Sequence, residues 1–223
     1  MTIELLNIDC MEYMKGLEDN AFELAIVDPP YGINADKAQN AAAEAREKAN
    51  GKSKAGRGWK KYKETEWDNL PPNNNYFREL FRVSKTQIIW GGNYFPLIWK
   101  YSNSMILWNK MQREFSLADG ELAWYSKTKK AMRIFDMSRG EALSNNKNNR
   151  IHPTQKPVKL YEWLLQNYAK EGDKILDTHL GSGSSAIAAH YGGFDFVGCE
   201  LDEDYYNAAK ARFDNETAQR AMF

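Results

Sequence analysis

A chain of 223 residues with 43% hydrophobic and 27% charged side chains has the size and composition of one globular domain with a substantial core. No apolar run approaches the roughly 18 residues of a membrane span, and the N-terminus lacks a basic-then-apolar signal pattern, so we expect a cytoplasmic protein without a membrane partner. Two widely separated cysteines and three histidines predict neither a disulfide framework nor a metal site.

The formal net charge of zero conceals a strong asymmetry along the chain. Residues 46–63 hold eight Lys or Arg against one Glu, and residues 127–150 hold seven against two acids. Such runs are often only solvated surface, but two separate ones favour arms that bind a nucleic acid. The residues we expect to contact it are Lys52, Lys54, Arg57, Trp59, Lys60, Lys61, Lys127, Lys129, Lys130, Arg133 and Arg139.

The first elements are a strand at 3–7, a short helix opened by Asp9 as an acidic N-cap, and a buried strand at 23–27. That strand ends in Asp28-Pro29-Pro30-Tyr31. Neither proline has a backbone N–H, so the strand stops there in a rigid loop. The loop holds a carboxylate, free carbonyls and an aromatic ring at the carboxyl end of a strand, where open α/β sheets bind ligands.

This set of groups suits chemistry on the exocyclic amine of a nucleobase. The Asp28 carboxylate and the Pro29 carbonyl can accept the two amine hydrogens, and the Tyr31 ring can stack on a base swung out of its helix. A plain surface turn is the alternative, because Asp-Pro-Pro is also good turn chemistry.

The segment 34–50 is helix-prone but has no apolar stripe, and a polar connection follows it. We interpret 34–66 as a mobile basic lid or DNA-facing arm attached to the Asp28 loop. Its aromatic residues Trp59, Tyr62 and Trp67 suit insertion or stacking, although Trp67 is equally suited to fastening the arm to the body.

The middle of the chain predicts an amphipathic helix at 73–83 and strands at 85–90, 104–109 and 122–126. A helical turn is expected near 94–99. The basic segment 127–150 has no hydrophobic period and is predicted to be a loop.

The final third predicts a helix at 158–168, a strand at 174–177, a Gly-Ser loop at 181–185, a helix at 186–191, a strand from Phe194 and a last helix at 202–213. This is a nucleotide-binding βαβ unit, in which Glu200 lies 23 residues after Asp177 and can accept both hydroxyls of a ribose. A dinucleotide would require a third glycine at the helix start. S-adenosylmethionine, a nucleoside without pyrophosphate, fits better.

With both motifs, the chain resembles the amino-group DNA methyltransferases, and the Asp of Asp28-Pro29-Pro30-Tyr31 points to the adenine-N6 branch. The order of catalytic loop, His152-Pro153-Thr154-Gln155-Lys156-Pro157 and Asp177-x-x-x-Gly181-Ser182-Gly183 is similar to the permuted beta class. The resemblance implies a single domain over 1–223, with a Rossmann-like S-adenosylmethionine-dependent α/β sheet, helices on both faces and circularly permuted motifs.

The same resemblance implies roles for individual residues. The catalytic set is Asp28, Pro29, Pro30 and Tyr31, with Asp28 mainly orienting the amine. Asp9 reaches the adenine of the cofactor and Glu200 its ribose. The remaining cofactor-binding residues are Cys10, Asp28, His152, Thr154, Gln155, Lys156, Asp177, His179, Gly181, Ser182, Gly183, Ser184 and Leu201.

Three features depart from the family pattern, of which one is Ser184 in place of the usual threonine. Thr178-His179 replaces the usual Pro-Phe, so His179 either covers the cofactor or is a simple loop residue. Target recognition falls on 127–150, which is short. Three explanations suit so short a recognition segment. The DNA site is short or degenerate, the 34–66 arm contributes to recognition, or a second subunit in a homodimer does.

We therefore expect a site-specific adenine-N6 DNA methyltransferase, of the kind carried by phages, mobile elements and restriction systems with a cognate endonuclease. The alternatives are an RNA adenine or DNA cytosine-N4 methyltransferase, a protein-glutamine methyltransferase, a catalytically silent DNA-binding partner subunit, and a nicotinamide oxidoreductase. Asp28 argues against glutamine as substrate, an intact catalytic loop against a silent subunit, and the missing glycine against a nicotinamide.

Overall fold

The computed structural model describes residues 1–34, 37, 40, 41, 44, 45, 68–113, 118–127, 131–138, 140–142 and 150–220. Two short 3₁₀ helices at Gly92–Tyr94 and Pro96–Lys100 accompany the main elements. The strands and α-helices are, in chain order, β1 (Ile3–Asn7), α1 (Cys10–Lys15), β2 (Phe22–Val27), α2 (Asn74–Val83), β3 (Ser84–Trp90), β4 (Ser104–Asn109), β5 (Gly120–Tyr125), β6 (Met132–Asp136), α3 (Val158–Tyr168), β7 (Lys174–Asp177), α4 (Ser184–Gly192), β8 (Asp195–Glu200) and α5 (Glu203–Arg220).

These strands form one sheet in the order β1-β8-β7-β2-β3-β5-β4-β6. The neighbours from β1 to β3 are all parallel, and only β5 runs antiparallel to the strands beside it. Strand β2 pairs with β7, with Leu24 opposite Ile175 and Ala25 opposite Leu176. The catalytic-loop strand therefore lies directly beside the strand that leads into the Gly-Ser loop, as the permuted motif order predicts.

The sheet is buried on both faces. Leu24 and Ile26 of β2 pack in one core cluster with residues of α3, α4 and α5. Ala25 and Val27, which point to the opposite face, pack with residues of α1 and α2. This arrangement confirms the predicted α/β class with helices on both faces. Within the described ranges, no helix is both long and apolar enough to cross a membrane.

The helix starts follow local capping chemistry. The Asp9 carboxylate accepts the backbone N–H of Met11 at 2.6 Å, which caps α1 as predicted. The Asn73 side chain caps α2 in the same way, by accepting two backbone N–H groups of the first turn.

Two predictions about secondary structure are wrong. The segment 127–150 contains strand β6, which pairs with β4 and packs Phe135 against Trp163 at 5.5 Å between ring centroids. The strand obtains its backbone partners from a remote element, so the basic composition around it conceals it. Helix α5 continues past Phe213 to Arg220, and the i,i+4 ion pair between Arg212 and Glu216 supports this extension.

Candidate active site

Four acidic residues mark the carboxyl ends of adjacent parallel strands. Asp9 follows β1, Asp28 follows β2, Asp177 ends β7 and Glu200 ends β8. Electrostatic interactions link Asp177 with both Asp28 and Glu200. The predicted cofactor loop and catalytic loop therefore meet at one edge of the sheet, at its topological switch point.

Asp177 organises the loop that leads into α4. One of its carboxylate oxygens accepts the backbone N–H of His179 at 3.0 Å, and the other accepts the hydroxyl of Ser185 at 2.6 Å. Burial raises the pKa of Asp177 to about 7. Gly183 has φ +74°, and a Cβ built there would lie 3.3 Å from the carbonyl oxygen of Ala209, so glycine lets the loop pack closely on α5.

Glu200 faces the same loop. Its Oε2 accepts the backbone N–H of Gly181 at 2.8 Å, and its Oε1 accepts that of Asp202 at 3.1 Å. Each carboxylate oxygen has a second lone pair with which to accept a ribose hydroxyl. The adjacent Leu201 is 70% exposed. These residues fit the nucleoside part of S-adenosylmethionine, with an acid held against a glycine turn.

Asp9 and Cys10 follow β1, the next strand outward, at the start of α1. Because one Asp9 oxygen caps α1, the other is available to a ligand amine. Burial raises the pKa of the Cys10 thiol to about 12, which keeps it protonated at neutral pH.

The segment 151–157 borders the Gly-Ser loop. His152 Nδ1 lies 3.0 Å from the hydroxyl of Thr154, and its ring contacts Tyr205 edge-on at 4.5 Å. A Cβ built on Gly181 would lie 3.9 Å from the His152 ring, which places this ring beside the loop. Gln155 accepts a backbone N–H from within the segment at 2.9 Å.

A buried arginine from α5 joins these two stretches. Arg212 donates to the carbonyl of Ser182 and to the hydroxyl of Ser184, both at 2.9 Å. Ser184 in turn donates to the carbonyl of Lys156 at 2.8 Å. Arg212 thus supports the Gly-Ser loop from behind.

His179 lies against α2. Its ring contacts Tyr76 edge-on at 5.4 Å, and its Nδ1 lies 2.9 Å from the hydroxyl of Thr178. Burial lowers the pKa of His179 to about 4, so the ring is neutral at pH 7. A neutral ring suits contact with an adenosyl group, and that role stays a prediction.

Both oxygens of the Asp28 carboxylate have partners. The hydroxyl of Tyr31 donates to Oδ1 at 2.5 Å, and the Lys156 ammonium donates to Oδ2. Burial raises the pKa of Asp28, and the positive charge of Lys156 opposes that rise. The ion pair weakens Asp28 as a base and leaves it suited to orienting an N–H donor.

Lys156 also contacts a second carboxylate, that of Glu121. Its ammonium lies 3.3 Å from Oε2 of Glu121, whose Oε1 accepts from Lys110 at 2.6 Å. Burial raises the pKa of Glu121, but the two lysines outweigh that effect and lower the pKa to about 2. Four charges of alternating sign therefore lie in one row.

The ring of Tyr31 is held by other aromatic rings. It stacks on Tyr94 with 5.0 Å between centroids and 15° between planes, and it meets Phe95 edge-on at 6.2 Å. Gly91, with φ +68°, lies so close that a Cβ built there would come within 2.2 Å of the ring. Tyr94 is 44% exposed, so the stack extends to the protein surface.

Asp68 holds the backbone of the catalytic loop. Its Oδ1 accepts the N–H of Tyr31 at 2.7 Å and that of Gly32 at 2.8 Å. Gly32 has φ +74°, and a Cβ built there would lie 2.6 Å from Cδ of Pro71. The residues around Asp68 therefore close over the end of the loop.

The sequence model of the DNA methylase family matches residues 22–211 of this chain. That match spans both motifs and the strand ends at Asp28, Asp177 and Glu200. The chain belongs to the DNA methylase family. It is thus a DNA methyltransferase of the combined N6 and N4 group, as its motifs predict.

Curated relatives of this methylase agree with that assignment. The chain is 38% identical over 71 residues to type II methyltransferase M.HpaI of Haemophilus parainfluenzae, covering 32% of this chain and 23% of that protein. It is 40% identical over 65 residues to M2.DpnII of Streptococcus pneumoniae, covering 29% and 24%. A longer match, 27% identical over 96% of this chain and 90% of the relative, is to YubD of Escherichia coli strain K12, a provisionally assigned methylase.

Solved structures share the fold of this methylase. The complex of M1.HpyAVI with S-adenosylmethionine has a TM-score of 0.59 at 21% identity and covers 95% of this chain and 100% of the other. The cytosine-N4-specific PvuII DNA methyltransferase has a TM-score of 0.60 at 14% identity and covers 96% and 86%. The fold therefore occurs in a complex with the predicted cofactor, and it also occurs in a cytosine-N4-specific methyltransferase.

Most of the residues predicted to bind DNA lie outside the described ranges, namely Lys52, Lys54, Arg57, Trp59, Lys60, Lys61, Lys129, Lys130 and Arg139. Lys127 is exposed at the end of β5. Arg133, on β6, donates to Asn167 at 2.8 Å and lies over the ring of Trp163. For these residues DNA contact stays a prediction.

Four residues that sequence reasoning missed contact the predicted site, and they are Asp68, Tyr94, Glu121 and Arg212. None belongs to either motif, and each reaches the site through tertiary contacts. Glu121 follows a glycine at the start of a strand and carries no local signal. Asp68 follows the basic segment 46–63 in the chain, and its sequence neighbours do not distinguish it from any other acidic residue of a loop.

Proposed function

We propose that this methylase transfers the methyl group of S-adenosylmethionine to the N6 amine of adenine in DNA, after the base has left the helix. The observation that carries the proposal is the Asp28 carboxylate, held at the carboxyl end of β2 beside the Gly-Ser loop of β7. By the resemblance, an aspartate in this position goes with adenine N6.

The exocyclic amine of adenine is a poor nucleophile because its lone pair is delocalised into the ring. Asp28 accepts one N–H of the amine, and the carbonyl of Pro29 accepts the other. These two hydrogen bonds favour a pyramidal nitrogen with a directed lone pair. Since the ion pair with Lys156 opposes the rise in the pKa of Asp28 that burial causes, we assign Asp28 mainly an orienting role.

Base flipping places the adenine against an aromatic ring. Tyr31 provides that ring, and its backbone is held by Asp68. The stack with Tyr94 at 5.0 Å leaves no room for a base between the two rings. A base that stacks on Tyr31 therefore uses a part of the ring that Tyr94 does not cover, or it displaces Tyr94.

The cofactor is held by residues at the ends of β1, β7 and β8. Bound S-adenosylmethionine supplies an electrophilic methyl group on a sulfonium. Glu200 accepts the ribose hydroxyls, the Gly181–Ser184 loop gives its backbone a close approach, and Asp9 accepts from the adenine amine. Neutral His179 covers the adenosyl group.

DNA is bound by the two basic segments, 46–63 and 127–150. The second segment is short for one that recognises a specific DNA sequence, so we propose that the arm at 34–66 or a second copy of the chain completes recognition. The type II names of the relatives M.HpaI and M2.DpnII favour a cognate restriction endonuclease as a partner in the cell. Sedimentation with and without DNA tests the homodimer.

Methyl transfer from labelled S-adenosylmethionine to unmethylated DNA, followed by nucleoside analysis, tests the proposal. We expect N6-methyladenine. N4-methylcytosine would instead assign the chain to the cytosine branch that PvuII represents. Label in RNA alone would change the substrate class, and cofactor binding without transfer would indicate a silent partner subunit.

A further inference from the structure

A row of four charges lies behind the catalytic loop, and two of its members, Lys110 and Glu121, have no role in the proposed reaction. It runs from Lys110 after β4, through Glu121 on β5 and Lys156 before α3, to Asp28 after β2. Lys156, in the middle, is only 3% exposed. Burying an ammonium costs free energy unless a carboxylate pairs with it. Asp28 already provides that pairing, so the presence of Glu121 as a second carboxylate requires an explanation of its own.

Both carboxylate oxygens of Asp28 already have hydrogen-bond partners, although the proposed role of Asp28 is to accept an N–H of the target amine. The Tyr31 hydroxyl occupies Oδ1 and the Lys156 ammonium occupies Oδ2. Each oxygen keeps a second lone pair that can accept the amine of the target base. A carboxylate attracts a further N–H less strongly while an ammonium holds it at full strength, so the amine binds best when Lys156 loosens its hold on Asp28 while remaining inside the protein.

The geometry provides a place for that ammonium. Lys156 lies between Asp28 and Glu121, with 3.3 Å separating its Nζ from Oε2 of Glu121. An ammonium has three donors and can shift its strongest hydrogen bond from one carboxylate to the other by a small side-chain movement. Glu121 is itself anchored by Lys110 at 2.6 Å, so it stays in position during that shift.

We propose that Glu121 is a positioning residue that receives the Lys156 ammonium when Asp28 binds the target amine. The inference rests on the proposed function of Asp28. Without the Glu121 charge, Lys156 would have Asp28 as its sole carboxylate partner in this row. The amine would then compete against a tighter ion pair.

The same row affects the ionisation of Asp28. Lys156, Tyr31 and Glu121 face its carboxyl, and Asp177 interacts with it from the neighbouring strand. The negative charge of Glu121 raises the pKa of Asp28, so removing that charge lowers the pKa. Because Asp28 must be ionised to accept an N–H, the acid limb of kcat/KM then moves to lower pH.

The test is Glu121→Gln, which keeps the size and one acceptor oxygen but removes the charge. We expect kcat for DNA methylation to fall by about 10-fold or more. Cofactor binding, measured by calorimetry, stays within about 2-fold of the parent, since Glu121 lies outside the nucleoside site. The acid limb of the pH profile of kcat/KM moves to lower pH in Glu121→Gln. Glu121→Asp, which keeps the charge, recovers part of kcat.

Glu79→Gln is the matched control. Glu79 also pairs with a cation, Arg82, and its side chain has the same 29% exposure as that of Glu121. A parental kcat in Glu121→Gln would overturn the proposal. So would a loss of kcat with an unmoved acid limb, or an equal loss in Glu79→Gln. If the parent protein and both variants bind cofactor but methylate no DNA, the proposed function fails, and this inference fails with it.

Discussion

The carboxylate of Asp68 accepts the backbone N–H of Tyr31, which lies 37 residues earlier in the chain, at a distance of 2.7 Å. The same oxygen accepts the N–H of Gly32, and Asp68 is only 2% exposed. One buried acid therefore holds two distant parts of the chain, at Gly32 and at Asp68, together beside the catalytic tip. The position of the Tyr31 ring depends on that contact.

Asp68→Ala should destabilise the fold by about 2 kcal/mol, because two partly buried backbone N–H groups lose their acceptor. It should also reduce kcat for DNA methylation more strongly than it changes cofactor affinity. Asp68→Asn keeps an acceptor oxygen and should recover most of the stability. Denaturant unfolding and methylation kinetics measure the two effects.

Asp173→Ala serves as a control for Asp68→Ala, since Asp173 also accepts a backbone N–H at 2.8 Å but lies in the turn before β7, at the opposite end of that strand. If Asp68→Ala and Asp173→Ala affect kcat equally, Asp68 has no special relation to the catalytic loop.

Asp28→Ala should abolish methyl transfer while S-adenosylmethionine still binds. The substitution removes the acceptor for the target amine and leaves the Glu200 side of the site intact. It also frees Lys156 from one partner, so unfolding should be measured alongside turnover. Turnover that survives the substitution would remove Asp28 from the mechanism.

Tyr94→Ala should weaken the action of the enzyme on DNA, because the Tyr31 ring loses the partner that it stacks on. An aromatic pair contributes about 0.5–1.5 kcal/mol, so we expect kcat/KM for DNA to fall by roughly 3- to 10-fold. Tyr94→Phe retains the ring and should behave like the parent. Tyr101→Ala, which removes another exposed tyrosine, controls for general surface effects. A rise in kcat/KM would mean that Tyr94 blocks the base.

His179→Phe should change how stability depends on pH. The ordinary pKa of histidine is 6.5 and burial lowers that of His179 to about 4, so the folded state favours the neutral ring. In the unfolded state the ring binds a proton below pH 6.5, so the free energy of unfolding is unaffected above pH 6.5 and falls by about 3 kcal/mol as the pH drops to 4.

The measurement for His179→Phe is the difference in unfolding free energy between parent and variant at pH 7 and pH 4.5. In this difference the effect of Asp177, whose pKa is raised to about 7, largely cancels. A difference that does not vary with pH would show that His179 is not buried as neutral imidazole in solution.

Replacing 46–63 by a neutral linker of equal length should weaken DNA binding and reduce its dependence on salt. Each lost phosphate contact lowers the slope of log affinity against log salt by about 0.9. The segment carries eight basic residues against one acid, so the change should be measurable by titration at several salt concentrations. A scrambled segment of the same composition is the control. If the neutral linker leaves the slope of log affinity against log salt unchanged, the segment 46–63 does not contact DNA phosphates.

Much of the fold could be predicted because its signals are local. Strand β2, helix α3 and the Gly-Ser turn each carry an apolar run, a proline or glycines at the positions that structure requires. Strand β6 was missed because Met132–Asp136 becomes a strand only by pairing with β4. The last seven residues of α5 were missed because they have no apolar stripe.

The sequence by itself determined the family, the permuted order of the motifs and the acids at the strand ends, since these depend on residues close together in the chain. Only the tertiary structure decided which side chains hold the catalytic loop. Asp68, Tyr94, Glu121 and Lys156 come from four separate stretches and meet at Asp28 and Tyr31. Their roles arise from buried charge pairing and ring contact, and these interactions depend on distance in space, which a linear pattern does not encode.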